Sequence, residues 1–473
     1  MPAKITLTVT QGKLQGRQFI FDSRTSCILG RNADCNPKLP DDEDHRAISR
    51  YHCLLDINPP AIRVRDFGSR NGTYVNSKKI GQRQVEQTPE EGAKLQFPEH
   101  DLQDGDEIKL GNTIIQVGIE QIGIESDPLH ISITNFFPST IDADNTSKQQ
   151  PTQPLNFLNK IKGLLKLAES GADNLIAIRG YQIVKLLGKG GFGEVYLARH
   201  NQSGKYVALK MMLPSVAAVG EQACKMFLRE TENTKALRHP NVIELIDYGY
   251  SENIFFFTME YCKCGNVFDF MQQQGEPLSV DIALAITLQI LDGLEYTHNA
   301  EIPYVKLDGG GFGKGRGLVH RDLKPNNIFL DWVDVDQKFV AKVGDYGLSK
   351  AFDIAGLSGQ TLSGTKAGTP FFMPRQQVLN FKYTQPDVDI WATAACLYYM
   401  LTANFPRNFT GADPFLAVLQ NDPVPIRARN ASIPQPLAEV IDLALVEKPE
   451  IHFKTAMEFK QALLSVYCNI YKS

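Results

Sequence analysis

The stretch that most constrains the fold is Leu318 to Leu330, LVHRDLKPNNIFL, a short apolar strand, a polar turn and a second apolar strand. A hydroxyl group and a terminal phosphate can both be gripped on such a turn. Asp322 is the one carboxylate there to orient an attacking alcohol and accept its proton, and Asn327, five residues on, offers an amide oxygen to a divalent metal. Fifteen residues after Asn327 begins KVGDYGLSK, whose Asp345 is a second hard oxygen ligand. Magnesium keeps several waters and takes one or two protein groups plus phosphate oxygens, so Asp345 with Asn327 is a sufficient contribution.

The ordered HRDxxxxN and DxG pair resembles the catalytic core of a protein kinase, with Tyr346 where that family usually carries Phe. The change keeps an aromatic anchor beside Asp345 and adds a hydroxyl. Upstream, LGKGGFGEV leads into the strand VALK and not into a helix, so Gly188, Gly190 and Gly193 favour a nucleotide lid over a dinucleotide-binding turn. Without side chains they let backbone amides approach phosphates. The resemblance implies that Val195 and Ala208 line the adenine site, that Lys210 contacts the α and β phosphates, and that Glu230, nine residues before His239, pairs with Lys210. Glu232 would project about 200° away on the same helix and cannot share that face. Met259 falls at the gatekeeper position, and Glu260 to Cys262 supply the adenine-pairing backbone. Lys324 resembles the serine/threonine class, in which it helps to neutralise charge on the transferred phosphoryl group. Asp389 matches a residue that braces the catalytic loop; Ser358, Thr361, Ser363 and Thr365 lie in the activation segment, before a structural Thr369.

Two departures stand out. EIPYVKLDGGGFGKGRG, Glu301 to Gly317, is an insertion; its glycines with Lys314 and Arg316 read either as a mobile loop or as an anion-binding nest. The family's APE triplet is replaced by Pro374-Arg375-Gln376, and the late arginine that normally pairs with its glutamate by His452. A neutral Gln376–His452 hydrogen bond is therefore expected in place of a buried salt bridge. DWVDVDQKF, Asp331 to Phe339, reads as a long hairpin connection.

Length sets the frame for these motifs. A chain of 473 residues is too long for one core, and a prior of roughly 150 residues per domain predicts two or three units. From Ile5 to about Val117 apolar and polar residues alternate in short runs (ITLTV, CLLDI, IRVRDF, TIIQV) broken by Gly, Asn, Asp and Pro, the pattern of a β-sandwich. Its loops carry Gly30-Arg31, SRYH at Ser49 to His52, and SRNGT at Ser69 to Thr73. In that order they resemble a forkhead-associated (FHA) domain, a reader of phosphothreonine peptides. A dianionic phosphate wants charge-assisted donors: Arg31 offers a guanidinium fork, Ser49 a hydroxyl, and Arg50 a second cation. The resemblance implies that Asn71 holds the peptide backbone and that His52 braces the loops. The competing reading leaves Arg31 a solvated charge and Asn71-Gly72 a plain turn.

Between Glu125 and Leu155 the composition turns to Ser, Thr, Asp, Gln and Pro, a flexible tether whose coil would span roughly 30 Å. Leu155, Leu158, Ile161, Leu164 and Leu165 then recur at helical spacing. The expected divisions are thus an FHA domain at 1–122, a linker at 123–154, a helix at 155–177 and a bilobal α+β kinase fold at 178–473.

Net charge of −4 gives no reason to expect nucleic acid as a partner. Eight scattered cysteines without a CxxC pair fit a reduced, cytoplasmic chain. The longest apolar run, Trp391 to Ala403, falls short of the ~20 residues that cross a bilayer and reads as a buried helix. The resemblance as a whole implies a serine/threonine protein kinase of the eukaryotic type found in bacteria. Its cosubstrate would be ATP with Mg²⁺, Mn²⁺ being the alternative ion, and its partners protein substrates and phosphothreonine peptides. Those peptides include its own phosphorylated segments, with Thr140, Thr146, Thr152, Thr361 and Thr365 as candidates. The rival is a pseudokinase scaffold; the presence together of Lys210, Glu230, Asp322, Asn327 and Asp345 argues against it.

Overall fold

A computed structural model describes residues 3–22, 25–33, 35, 37–92, 95, 97–121, 177–178, 180–190, 193–212, 231–251, 254–306, 312–333, 338–346, 370–379, 384–410 and 413–470. Glu230, the tether, residues 155–176 of the expected helix and the activation-segment hydroxyls from Ser358 to Thr369 lie outside them, while Ala177, the last residue assigned to that helix, opens a strand.

The amino-terminal alternation folds as a two-sheet antiparallel sandwich. One sheet runs in the order β2 (Gln18–Phe21), β1 (Ala3–Gln11), β10 (Thr113–Gln121), β9 (Glu107–Leu110), β6 (Thr73–Val75), β7 (Lys78–Gly81). The other runs β3 (Thr25–Leu29), β4 (Cys53–Asn58), β5 (Ala61–Asp66), β8 (His100–Leu102). Because side chains alternate across a strand, Ile5, Leu7 and Val9 of β1 face Cys27, Leu29, Leu55, Ile57, Ile62 and Val64 in one closed core.

The opposite face of the second sheet is also apolar. Ile28 pairs with Leu54, and Leu54 with Arg65, so these three stand side by side on the outer surface. Ile28, Leu54 and Phe67 are nevertheless buried, because they pack in one cluster with Met373, Val378, Leu416, Val418 and Leu419 of the carboxyl-terminal lobe. Arg65 crosses the same boundary to the Asp413 carboxylate at 2.5 Å and lies over the Phe415 ring. Burying an aliphatic or aromatic side chain contributes about 1.5–3 kcal/mol, so the apolar contacts carry this boundary. The ion pair roughly breaks even against its desolvation.

The second unit begins with a six-stranded sheet, β11 (Ala177–Ile178), β12 (Tyr181–Gly190), β13 (Gly193–His200), β14 (Tyr206–Met212), β16 (Ile254–Glu260), β15 (Leu245–Ser251). Below it helices gather around α4 (Asp387–Thr402), buried at every residue from Val388 onward, as a helix apolar all round should be. Against it pack α2 (Val280–Asn299), α6 (Gln435–Ala444) and α7 (Ala456–Ile470). Ser279 caps α2 by accepting from Ile282 N. α1 (Val267–Gln274) starts at the Asn266 cap and stops at Gly275, φ 75°. Two shorter helices, α3 (Arg375–Leu379) and α5 (Pro414–Gln420), form the surface that meets the sandwich.

The insertion is not a mobile loop at its ends. Residues Glu301–Lys306 (β17) and Phe312–Arg316 (β18) pair as an antiparallel hairpin, and Asn233 clamps it through both polar groups of Tyr304, each at 2.9 Å. The glycine-rich centre, 307–311, on which the nest reading falls, lies outside the described residues. DWVDVDQKF does connect a hairpin, β19 (Ile328–Val333) with β20 (Lys338–Val343).

Candidate functional site

The catalytic turn is held from below by Asp389. Its carboxylate accepts from His320 N at 2.8 Å and Arg321 N at 2.9 Å, and meets His298 Nε2 at 2.8 Å. Burial would raise the Asp389 carboxyl, yet His298, His320 and the Arg321 amide hold it below its ordinary value. With both amides fixed, Arg321 adopts φ 66°, a strained conformation for a non-glycine residue. The bracing role expected of Asp389 is thus reproduced in the geometry.

On that platform Lys324 Nζ lies 2.8 Å from Asp322 Oδ2, and Asn327 Nδ2 donates to the Asp322 carbonyl at 2.7 Å and to its carboxylate at 3.2 Å. The Asn327 amide is thereby orientated, with Oδ1 left as its acceptor atom. Gly344 N donates to Asn327 O at 2.9 Å, tying the turn to the segment that carries Asp345. Asp345, at φ 61°, meets Lys210 Nζ at 3.3 Å. Burial would raise its carboxyl, but Lys210, His320 and Lys324 hold it below the usual carboxylate range. Five of the expected groups therefore converge from β14, the turn and the end of β20. Glu230 lies outside the described residues, while Glu232 bonds the Tyr248 hydroxyl, in keeping with its expected turn away from Lys210.

Tyr346 is buried with its ring edge-on to His320 at 4.7 Å. Its additional hydroxyl shares a 2.9 Å hydrogen bond with Thr297, and Thr234 donates to its carbonyl at 3.1 Å. The substitution thus carries its own partner. Val195, Ala208 and Lys210 are half-buried on the cleft face of the sheet, where Ala208 stands opposite Met259 and Lys210 opposite Phe257. Cys262 is buried at the strand-to-helix crossing after Glu260, whose carboxylate pairs with Lys342. At Gly188 an added Cβ would meet nothing within 4 Å, so no steric demand of the chain explains that glycine.

The expected Gln376–His452 pair does not form. Gln376 donates to the Glu447 carbonyl at 2.6 Å, its Oε1 has no partner, and His452 is exposed with its ring against Phe453. The buried ion pair is present but built from other residues: the Arg407 guanidinium binds Glu447, donates to Met373 O and Asn421 O, and lies 4.5 Å over the Trp391 ring. Glu447 also accepts from Arg375 N at 2.8 Å. Arg375 Nε stands 3.9 Å from the same carboxylate, so the triplet now carries a cation and the anion lies late in the chain. A pattern search for the usual triplet passes over both Arg407 and Glu447, which stand among other polar and charged residues in the sequence.

In the sandwich, a Cβ on Gly30 would fall 2.1 Å from Arg50 O, so glycine is needed for the close approach of these two loops. Gly72 holds φ 86°, as the Asn71-Gly72 turn requires. His52 is fully buried, accepting from Ser49 N at 3.0 Å and meeting Gly72 O at 3.1 Å, the expected brace. Ser49 Oγ accepts from Arg70 N, Asn71 donates to Ala47 O, and Arg50 is exposed. Arg31 is neither a free fork nor a solvated charge: it binds the Asp41 carboxylate and donates to Ile48 O.

The model of the protein kinase domain family matches residues 181–421, and that of the FHA domain residues 27–111. The chain belongs to the protein kinase family, with an FHA sandwich ahead of a bilobal kinase fold. Serine/threonine protein kinase OSK3 of Oryza sativa subsp. indica is 31% identical over 236 residues, 50% of this chain and 41% of that protein. The carbon catabolite-derepressing protein kinase of Candida albicans is 35% identical over 227 residues, 48% of this chain and 32% of that protein. This chain thus spans less than half the length of those relatives. Among solved structures, Rad53 1–466 in complex with AMP-PNP aligns over 97% of this chain and 100% of its own at 19% identity and TM-score 0.46. The PknI kinase domain of Mycobacterium tuberculosis aligns over 61% and 97% at 23% identity and TM-score 0.45. Among the described residues no helix is long and apolar enough to cross a membrane.

Proposed function

We propose that the chain is a serine/threonine protein kinase that transfers the γ-phosphoryl group of ATP to protein hydroxyls, and that its sandwich binds phosphothreonine peptides. The observation that carries this is the convergence of Asp322, Lys324 and Asn327 on one turn with the Lys210–Asp345 pair at 3.3 Å. Asp322 orients the substrate hydroxyl and accepts its proton; Lys324, 2.8 Å away, offsets charge developing on the phosphoryl group. Lys210 contacts the α and β phosphates, with Glu230 its expected partner, under the glycines Gly188, Gly190 and Gly193. Val195, Ala208 and the Glu260–Cys262 backbone receive the adenine. Asn327 Oδ1 and Asp345 would hold Mg²⁺, with Mn²⁺ the alternative, and the ion supplies neutralisation of the phosphate oxygens.

In the sandwich Arg31, Ser49 and Arg50 take the phosphate and Asn71 the peptide backbone. The divisions at 1–122, 123–154, 155–177 and 178–473 are supported by β10 ending at Gln121 and β11 beginning at Ala177. A reducing, cytoplasmic setting is supported by buried free thiols such as Cys27, Cys53 and Cys396, each pushed up by burial. The bacterial affiliation rests on the motif resemblance alone.

The test is incubation of the purified chain with labelled ATP and Mg²⁺ plus a generic protein substrate, followed by mapping. Label on serine and threonine supports the reading. ATP binding without label in either Mg²⁺ or Mn²⁺ would favour the scaffold. Binding of phosphothreonine peptides, lost in Arg31→Ala, tests the second site independently.

A further inference from the structure

Among the described residues the sandwich meets the helical lobe at a surface that adjoins both functional sites. Tyr51 follows Ser49 and Arg50 directly, its hydroxyl accepts from Asn32, the neighbour of Arg31, and it lies 3.5 Å from Arg375 Nη1 at the start of α3. Gln377, on the same short helix, donates to the carbonyl of Arg321, the residue before Asp322. The apolar side of this contact is Ile28, Leu54 and Phe67 against Val378, Leu416 and Leu419, pinned by Arg65 on Asp413, the residue that caps α5.

We propose, building on the function above, that the docked sandwich and the catalytic cleft form one composite substrate site, so that the preferred substrates are proteins already phosphorylated on a threonine at a set spacing from the target hydroxyl. A sandwich hanging on a free tether would recruit such proteins without regard to spacing. Docking through Ile28, Leu54, Phe67 and Arg65 fixes the distance. The chain of contacts from Ser49 through Tyr51, Arg375, Gln377 and Arg321 to Asp322 is at most about 45 Å long, so the separation is within reach of roughly thirteen extended residues. A peptide too short to bridge the two sites gains nothing, and one much longer loses the benefit as its effective concentration falls.

The experiment uses the full chain and a series of synthetic peptides in which one phosphothreonine stands about 4 to 30 residues from one acceptor serine, each with its unphosphorylated twin. The expected result for the native chain is a peak in kcat/KM, at least about tenfold above the unphosphorylated twin and carried by KM, at spacings up to roughly thirteen residues, declining beyond. Arg65→Glu, which opposes like charges across the boundary, and Leu54→Lys should flatten this profile. Each variant should keep its affinity for an isolated phosphothreonine peptide and its rate on unphosphorylated peptides, which shows that both units are folded. Hydrogen exchange on β3, β4 and α5 should rise in both variants.

A flat profile in the native chain, or a peaked one that survives in both variants with exchange unchanged, overturns the composite site. Loss of phosphothreonine binding altogether, or of transfer to unphosphorylated peptides in the native chain, would instead strike the proposed functions of the separate units.

Discussion

Removal of Glu447 tests how the end of the activation segment is anchored. Arg407 and Glu447 both have essentially no exposed side-chain surface, and Glu447 also takes the Arg375 amide. In Glu447→Ala the guanidinium stays buried over Trp391 without its counter-charge, a change that typically costs about 3–5 kcal/mol. For a unit of this size that corresponds to a fall in Tm of about 6–20 °C. Arg407→Met alone should cost less, because Arg375 Nε, 3.9 Å from the same carboxylate, still offsets its charge. The double variant Arg407→Met, Glu447→Gln removes the Arg407–Glu447 pair and keeps an acceptor for Arg375 N, so it should recover part of the loss, the Arg375 guanidinium still lacking its carboxylate. A double-mutant cycle by denaturant melts should give a coupling of at least about 1.5 kcal/mol. Additive costs, or a Glu447→Ala penalty under about 1 kcal/mol, would refute the anchor and leave the substitution at Gln376 uncompensated.

Tyr346→Phe removes a buried hydroxyl whose partner Thr297 still donates to Leu294 O, so a loss of only about 0.5–1.5 kcal/mol is expected in melts. Asp41→Asn frees Arg31 from a competing carboxylate and should tighten phosphothreonine-peptide binding about two- to fivefold by calorimetry. Asn233→Ala leaves the Tyr304 amide and carbonyl unpaired and should raise hydrogen exchange in β17. Burial lowers the His52 imidazole below its ordinary 6.5, with Asp66 and the Gly72 carbonyl opposing. The folded sandwich therefore favours neutral His52, a contribution complete above pH 6.5 and lost as pH falls through the lowered value, at up to about 1.4 kcal/mol per unit. Exchange of β4 amides should rise on going from pH 7.5 to about 5.5.

Period-two alternation from Ile5 to Val117 was enough to place the sandwich, because each strand has one core face and the pleat does the rest. The kinase turn was legible because Asp322, Lys324 and Asn327 act through short-range geometry set by their spacing, whereas Asp389, far away in sequence, was placed by the family resemblance. Docking was not foreseen, although the runs CIL and CLLDI carry apolar residues on both faces, the mark of a strand covered on both sides. The pairing of the insertion's ends was not foreseen, because its glycines outweighed the strand character of EIPYVK and its clamp, Asn233, lies far away in sequence. Arg407 and Glu447 escaped because a buried ion pair is defined by three-dimensional proximity, and either member can stand on either segment.

The central claim is tested most directly by single-turnover transfer of labelled phosphate from ATP to a serine peptide, comparing the native chain with Asp322→Asn and Asp345→Asn while ATP affinity is followed in parallel. Native transfer to serine, with a fall of at least about a thousandfold in both variants and ATP binding kept in Asp322→Asn, is the predicted result. Equal transfer by native chain and Asp322→Asn, or none by the native chain despite bound ATP and Mg²⁺, would contradict it.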